Sequence, residues 1–296
     1  MAAVKRHDDE FLVDEPLVRG LLRAQFPEWA DLPMSLLEPQ GTDHTIYRLG
    51  GEMVVRMPIH EPIPAQTRKE ARWVPFLAPQ VPLELPMPLA MGKPSDDYPF
   101  IWSIVRWIEG DQATADNIDA PQAAVDLARF IKALQVCDTT DGPRPDGANA
   151  LRGAPIRKGE AFVRAALDDL AGHYDTTKAE AVWELVRAAD GWNRPPVWLH
   201  GDLPGNLIAR DGRLVGAIDS GYAVGDPACD LMPAWTHFTG ADRRTFLDEV
   251  GLDDATQIRA RGWVLVPALR GMTYYRDVPH LYEKSVRHVE LATADL

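Results

Sequence analysis

The 296-residue sequence holds only two cysteines, Cys137 and Cys229, and they do not lie at the spacing of a metal knuckle or a redox motif. That excludes a disulfide framework and a cysteine-held zinc, and two isolated thiols suit a reducing compartment as core fillers. No stretch comes near the roughly 18 uninterrupted apolar residues that a spanning helix needs. The opening Met1 to Glu10 is charged and has no apolar leader segment. Together these absences predict a cytoplasmic chain with no membrane role.

Positive charge is also scarce. Lys and Arg number 31 against 44 Asp and Glu, a net charge of −13. This balance repels nucleic acid and anionic lipid and favours cationic small molecules. Internal repeats and low-complexity tracts are missing too, which argues against a solenoid or a linker array. What is present is ordinary globular composition, 46% apolar and 25% charged, in a chain long enough for two lobes.

The first third reads mainly as strands. Thr45–Leu49, the turn Gly50-Gly51 and Met53–Met57 have the pattern of a β-hairpin. A helix is expected over Ala65–Leu77, then a connection broken by Pro79, Pro82, Pro86 and Pro88, then a buried strand over Phe100–Val105. Beyond Gly110 the period lengthens. Leu127, Ile131 and Leu134 mark one helical face, and Val182, Leu185, Val186 and Ala189 mark another. A Gly/Pro/Asp-rich loop spans Thr139–Gly153, and the chain is again helical from Pro227, with Leu265, Leu269 and Met272 on one side. The tryptophans read as core rather than as substrate platforms. The simplest organisation is a strand-rich lobe over 1–107 and a helix-rich lobe over 108–296.

One segment carries the chemistry. Val197-Trp198-Leu199 leads into His200-Gly201-Asp202-Leu203-Pro204-Gly205-Asn206. A strand, the turn Asp211-Gly212 and a second strand follow, ending at Asp219-Ser220-Gly221. A tight hairpin brings its outer ends together, so Asn206 and Asp219 are expected to be neighbours. An amide oxygen beside a carboxylate is a hard-oxygen set suited to Mg²⁺ with phosphate oxygens. Asp202, on the same loop, is placed to accept a proton from a hydroxyl, and a base with a metal pair is what phosphoryl transfer requires. A hydrolase metal site built on His200 and Asp202 lacks a second histidine cluster to complete it.

His200-Gly201-Asp202 with Asn206, then Asp219-x-Gly221, Gly225-Asp226-Pro227 and Asp230-Leu231, resembles the aminoglycoside phosphotransferase family, relatives of protein kinases. Gly41-Thr42-Asp43 resembles its reduced nucleotide loop, Arg56 stands where a lysine is usual, and Glu70 matches the acidic partner of that cation. Val105-Arg106-Trp107-Ile108-Glu109-Gly110 resembles the hinge against which adenine lies. The resemblance implies an α+β, bilobal protein-kinase-like fold with ATP or GTP held in the cleft. Arg56, Glu70, Arg106 and Trp107 would then serve the nucleotide, Asp202 would be the base, and Asn206 and Asp219 would hold Mg²⁺. His200 and Asp230 would be structural, orienting and anchoring the catalytic loop.

Four positions differ from the family pattern. The steps from Asp202 to Asn206 and from Asp219 to Asp226 are each one residue short, Ser220 replaces an aromatic, and Arg56 replaces lysine. Ser220 forfeits on the order of 1.5–3 kcal/mol of apolar burial, which is expected to loosen the loop aiming Asp219. The expected function is Mg²⁺-dependent transfer of a nucleotide γ-phosphate to a hydroxyl of a small, cationic acceptor, an aminoglycoside or other antibiotic as in resistance enzymes. The alternatives are a nucleotide-binding pseudokinase, on the strength of the shortened loops, and a kinase of a small metabolite. For a polycationic acceptor the candidate acids include Glu160, Asp169 and Asp253.

Overall fold

Alternating burial along residues 46–49 and near-continuous burial along Met53–Pro58 set the first sheet. A strand covered on one face alternates, whereas one covered on both does not. In the computed structural model, which describes residues 10–38, 43–61, 63–147, 150–294 and 296, the chain divides into two units. The first comprises residues up to Gly110 with Gly216–Ile218, and the second comprises Asp111–Val215 with Asp219–Leu296.

The first unit is a five-stranded antiparallel sheet in the order β1-β2-β3-β5-β4. The strands are β1 (Met34–Leu36), β2 (His44–Leu49), β3 (Met53–Pro58), β4 (Pro88–Gly92) and β5 (Trp102–Arg106). β2 and β3 form the expected hairpin, His44 opposite Pro58 and Leu49 opposite Met53, around Gly50 at φ 60°. The proline-broken connection does not stay irregular. Its end becomes β4, an edge strand where the missing proline N–H faces away from the ladder, with the register slipping between Pro88 and Ala90.

The first unit also holds helices. α2 (Ile63–Leu77) begins two residues before the expected start, and α1 (Glu15–Gln25) was not foreseen among the strands. α1 is started by Asp14, whose Oδ1 accepts from the Leu17 N–H at 2.9 Å. It buries Val18, Leu21 and Leu22 against Tyr47, Leu49, Val55, Met57, Trp102 and Ile104, forming the core beneath the sheet.

The second unit is mostly helical. Its helices are α3 (Ala120–Gln135), α4 (Glu160–Leu170), α5 (Thr177–Ala188), α6 (Pro233–Thr236), α7 (Gly240–Val250), α8 (Asp254–Tyr274) and α9 (Pro279–Thr293). Short strands lie among them: β6 (Asp111–Gln112), β7 (Val197–Leu199), β8 (Leu207–Arg210), β10 (Ala223–Gly225) and all but the last two residues of β9 (Arg213–Ala217). β6, β8 and β9 form one small sheet, and β10 pairs with β7 in another. Trp183 and Trp198 are fully buried, in keeping with a core role. Among the described residues no helix is long and apolar enough to cross a membrane.

Two stability predictions follow from this packing. A Cβ on Gly92 would sit 1.8 Å from the Trp102 ring, with no flexible end to move aside. Gly92→Ala is therefore expected to cost about 1–3 kcal/mol, seen as a lower urea midpoint. Burial, with His288 nearby, pushes His237 down to about 4, and burial likewise holds His44 well below its ordinary value. The unfolded chain takes up these protons near pH 6.5 and the folded one does not, so the contribution of these two histidines to stability falls as pH drops from 6.5 toward 4. Urea midpoints measured across that window should decline less steeply in His237→Gln than in the wild type.

Candidate active site

The site is built on the two turns that flank the β8–β9 hairpin. Asp211 and Gly212 close that hairpin at φ 52° and 79°, the doubly positive pair of a type I′ turn. Its tip is docked on the start of α3, where the Asp119 N–H donates to the Gly212 carbonyl at 2.8 Å. Arg213 grips the mostly buried Asp126 of α3 with two bonds of 2.8 and 2.9 Å. The hairpin is therefore fixed, and Asn206 and Asp219 both lie at its open end.

The loop His200–Asn206 is held from beneath by Asp230. One carboxylate oxygen accepts from the His200 N–H at 2.8 Å and the other from the Gly201 N–H at 2.7 Å. Asp230 is almost completely buried, and burial pushes it up to about 7. The two backbone donors and Arg152 pull in the opposite direction, while the Asp202 charge adds to the rise. Gly201, at φ 88°, makes the turn that presents both N–H groups to one carboxylate.

His200 is also fully buried, its ring edge-on to Phe130 and Tyr222, and its Nδ1 accepts from the Asp202 N–H at 3.2 Å. It orients the loop from within the core. At the far end, the Gln112 side chain donates to the Gly205 carbonyl at 2.5 Å.

Three polar side chains emerge from this frame, all half-buried: Asp202, Asn206 and Asp219. The Asn206 Nδ2 donates to the Asp202 carbonyl at 2.8 Å, which assigns the amide and turns its oxygen the other way. Only that oxygen can ligate a hard cation. Asp219 sits at φ 53°, a left-handed conformation that aspartate tolerates better than most residues. Ser220 is buried, and the next N–H, that of Gly221, donates to the His200 carbonyl at 2.8 Å. The Asp219 turn is thus pinned through its backbone, so the loosening expected from Ser220 is offset by a hydrogen bond to the other loop.

Among the described residues no group of three His, Cys, Asp or Glu side chains is placed to hold a metal. An amide oxygen from Asn206 and a carboxylate from Asp219, completed by phosphate oxygens and water, is a donor set that fits Mg²⁺, which binds through few protein ligands.

Beyond this set lie two arginines the sequence alone did not expose, Arg259 and Arg152. Asp226 accepts two bonds from Arg259, at 2.8 and 3.1 Å, and both are buried. Arg259 recurs on the buried face of α8 with Thr256 and Trp263, and that lone charge in an apolar stripe was the available signal. Arg152 lies 2.9 Å from the Asp202 carboxylate. It comes from the Gly/Pro/Asp-rich loop, whose sequence has no period to place it.

The first unit carries the remaining predicted residues. Arg56 on β3 and Glu70 on α2 form a buried ion pair at 2.5 Å, which excludes a mere surface pairing. The N–H groups of Arg106 and Trp107 are spent on the Met87 and Glu52 carbonyls, each at 2.8 Å. The Arg48 guanidinium stacks 4.0 Å from the Trp107 ring centre. Gly41 and Thr42 lie outside the described residues, while the Asp43 carbonyl accepts from the Ile59 N–H at 3.1 Å beside the start of β2. Of the acids considered for a cationic acceptor, Glu160 is engaged by Arg164, Arg187 and the Trp183 indole, Asp169 by Arg276, and Asp253 by Arg194 while capping α8.

Residues 39–264 match the phosphotransferase enzyme family, and the chain belongs to that family: it is a small-molecule phosphotransferase with a kinase-like fold. A solved structure of aminoglycoside 2'-phosphotransferase-IIIa with GDP is similar over 96% of this chain and 99% of its own, at 18% identity and a TM-score of 0.75. The streptomycin–ATP ternary complex of APH(2")-IIa aligns over 95% and 99%, at 19% identity and a TM-score of 0.62. The apoenzyme of a macrolide 2'-phosphotransferase from Brachybacterium faecium aligns over 90% and 98%, at 21% identity and a TM-score of 0.60. No curated protein matches the chain.

The Asp230 contact gives a direct prediction. Asp230→Ala leaves two buried N–H groups without acceptors, at about 1–3 kcal/mol each. A stability loss of about 2–5 kcal/mol is expected from urea unfolding. Because the folded carboxyl is raised, Asp230 adds stability as pH falls from about 7 toward 3.8. The variant should lack that contribution.

Proposed function

We propose that this chain transfers the γ-phosphate of ATP or GTP to a hydroxyl of a small molecule, with Asp202 as the base and Asn206 and Asp219 as the Mg²⁺ ligands. The observation that carries this reading is the pinning of both loops: Asp230 fixes the Asp202 loop, and the Gly221–His200 bond ties the Asp219 turn to it. Phosphoryl transfer asks the protein for position and electrostatics more than for covalent chemistry, and pinned carboxylates provide both.

Asp202 takes the proton of the acceptor hydroxyl as its oxygen bonds to the γ-phosphorus. The bond from that phosphorus to the bridging oxygen breaks, and the nucleoside diphosphate leaves with the electron pair. Mg²⁺ bound at Asn206 Oδ1 and the Asp219 carboxylate would offset the negative charge on the phosphate oxygens. Arg56, aligned by Glu70, is assigned to the nucleotide phosphates, and its planar fork suits two phosphate oxygens at once. Arg106 and Trp107 are assigned to the strand that faces the base of the nucleotide. Since their N–H groups are already engaged, they would contribute carbonyls and side-chain surface instead.

The acceptor is proposed to be a hydroxylated antibiotic. Similar folds are solved with kanamycin and streptomycin, and another belongs to a macrolide phosphotransferase, so both acceptor kinds belong in a test panel.

Purified protein assayed with Mg·ATP and Mg·GTP against that panel should form phosphorylated product, and Asp202→Ala should lower turnover by about 10²–10⁴-fold. A loss smaller than tenfold would remove Asp202 from the role of base. Asp219→Asn keeps the left-handed backbone and removes one charge. It should weaken the Mg²⁺ dependence of nucleotide binding in calorimetry.

A further inference from the structure

The short loop after residue 149 is shaped to deliver one side chain. Ala150, Leu151 and Gly153 all have positive φ, 53°, 61° and 87°. Two of the three are not glycine, and left-handed backbone is strained for such residues. Strain of this kind persists only where the surroundings fix the conformation.

They do so here. The Gly153 carbonyl accepts from the Asp226 N–H at 2.8 Å, and Pro143 accepts from Val224 at 2.7 Å, so the loop is sewn to β10. The approach is too close for side chains. A Cβ on Gly225 would lie 2.2 Å from the Gly153 carbonyl oxygen, and one on Gly153 would lie 2.7 Å from Leu199. The residue delivered is Arg152, whose guanidinium stands 2.9 Å from Asp202 Oδ1. Neither partner is a free surface group, with side-chain exposures of 21% and 30%. Its stem also packs beside the catalytic turn, 3.6 Å from where a Gly201 Cβ would be.

We propose that Arg152 is a positioning and specificity residue: it holds the Asp202 carboxylate in place and selects acceptors whose reacting hydroxyl has no ammonium group beside it. This rests on Asp202 being the base, as argued above. The net charge of −13 draws cations from a distance, but salt screens it beyond about 8–10 Å. Arg152 is a cation set directly against the Asp202 carboxylate, where the acceptor hydroxyl would lie. An ammonium there meets a carboxylate already neutralised and a like charge in contact, a juxtaposition that disfavours the wrong partner strongly. The acceptor class is thereby narrowed to neutral hydroxylated molecules, or to those whose cationic groups lie remote from the reacting carbon.

The test compares wild type, Arg152→Gln and Arg152→Lys as full chains with matching melting temperatures. Calorimetry with kanamycin, as the polycationic probe, is expected to show binding tightened on the order of tenfold in Arg152→Gln. Arg152→Lys should stay near wild type. An uncharged glycoside should bind all three alike. With Mg·ATP and an acceptor from the panel, Arg152→Gln is expected to lose at least about tenfold in kcat with KM little changed, and Arg152→Lys to recover part of it. Kanamycin binding that is unchanged or weaker in Arg152→Gln overturns the selectivity, and a wild-type kcat in that variant overturns the positioning. The binding arm needs no phosphate transfer, so it decides the charge question even if Asp202 proves not to be the base.

Discussion

A single buried carboxylate sets the geometry of the candidate active site. Asp230 receives two adjacent backbone N–H groups, one on each oxygen, at the point where β7 ends and the loop of residues 200–206 begins. Buried N–H groups must find acceptors, and a carboxylate shared between neighbours fixes their relative orientation as well as satisfying them. The cost is a charge in the interior, which the rise of Asp230 to about 7 records. That cost is accepted because a loop of glycines and a proline has no regular structure to hold it.

From that anchor the rest follows outward in layers. Asp226, four residues before Asp230, caps the short helical turn that carries Asp230 and is itself gripped by Arg259 on α8. Asp126 and Arg213 tie the β8–β9 hairpin to α3. Each is a bidentate arginine–carboxylate pair, whose fixed fork transmits orientation better than a point charge does. The helical scaffold therefore holds both turns of the candidate site, and the shortened loops have little freedom left. Contraction near the chemistry is thereby compatible with a defined site.

Much of this was legible beforehand. The hairpin at residues 44–58 and the Asp211-Gly212 turn declare themselves, since strand-forming runs broken by Gly-Gly or Asp-Gly are local signals. β4 was hidden because proline at an edge strand looks like proline in a loop until neighbours define the edge. α1 was hidden because its partner face belongs to strands at positions 47–104. Arg152 and Arg259 were hidden for the same reason: each meets an aspartate tens of residues away, and no spacing rule reaches that far.

The order of His200, Asp202, Asn206, Asp219 and Asp230 pointed to the class of chemistry, because it resembles the motif of the phosphotransferase family that residues 39–264 match. Sequence also set the net negative charge of the chain. Folding decided which charges are neutralised: that Asp230 is buried, that Asp226 is locked to Arg259, and that a guanidinium stands against Asp202. Local chemistry is written in the order of residues, but the field around a reacting atom is summed over the space about it, and only the packed chain brings those charges within a few ångströms.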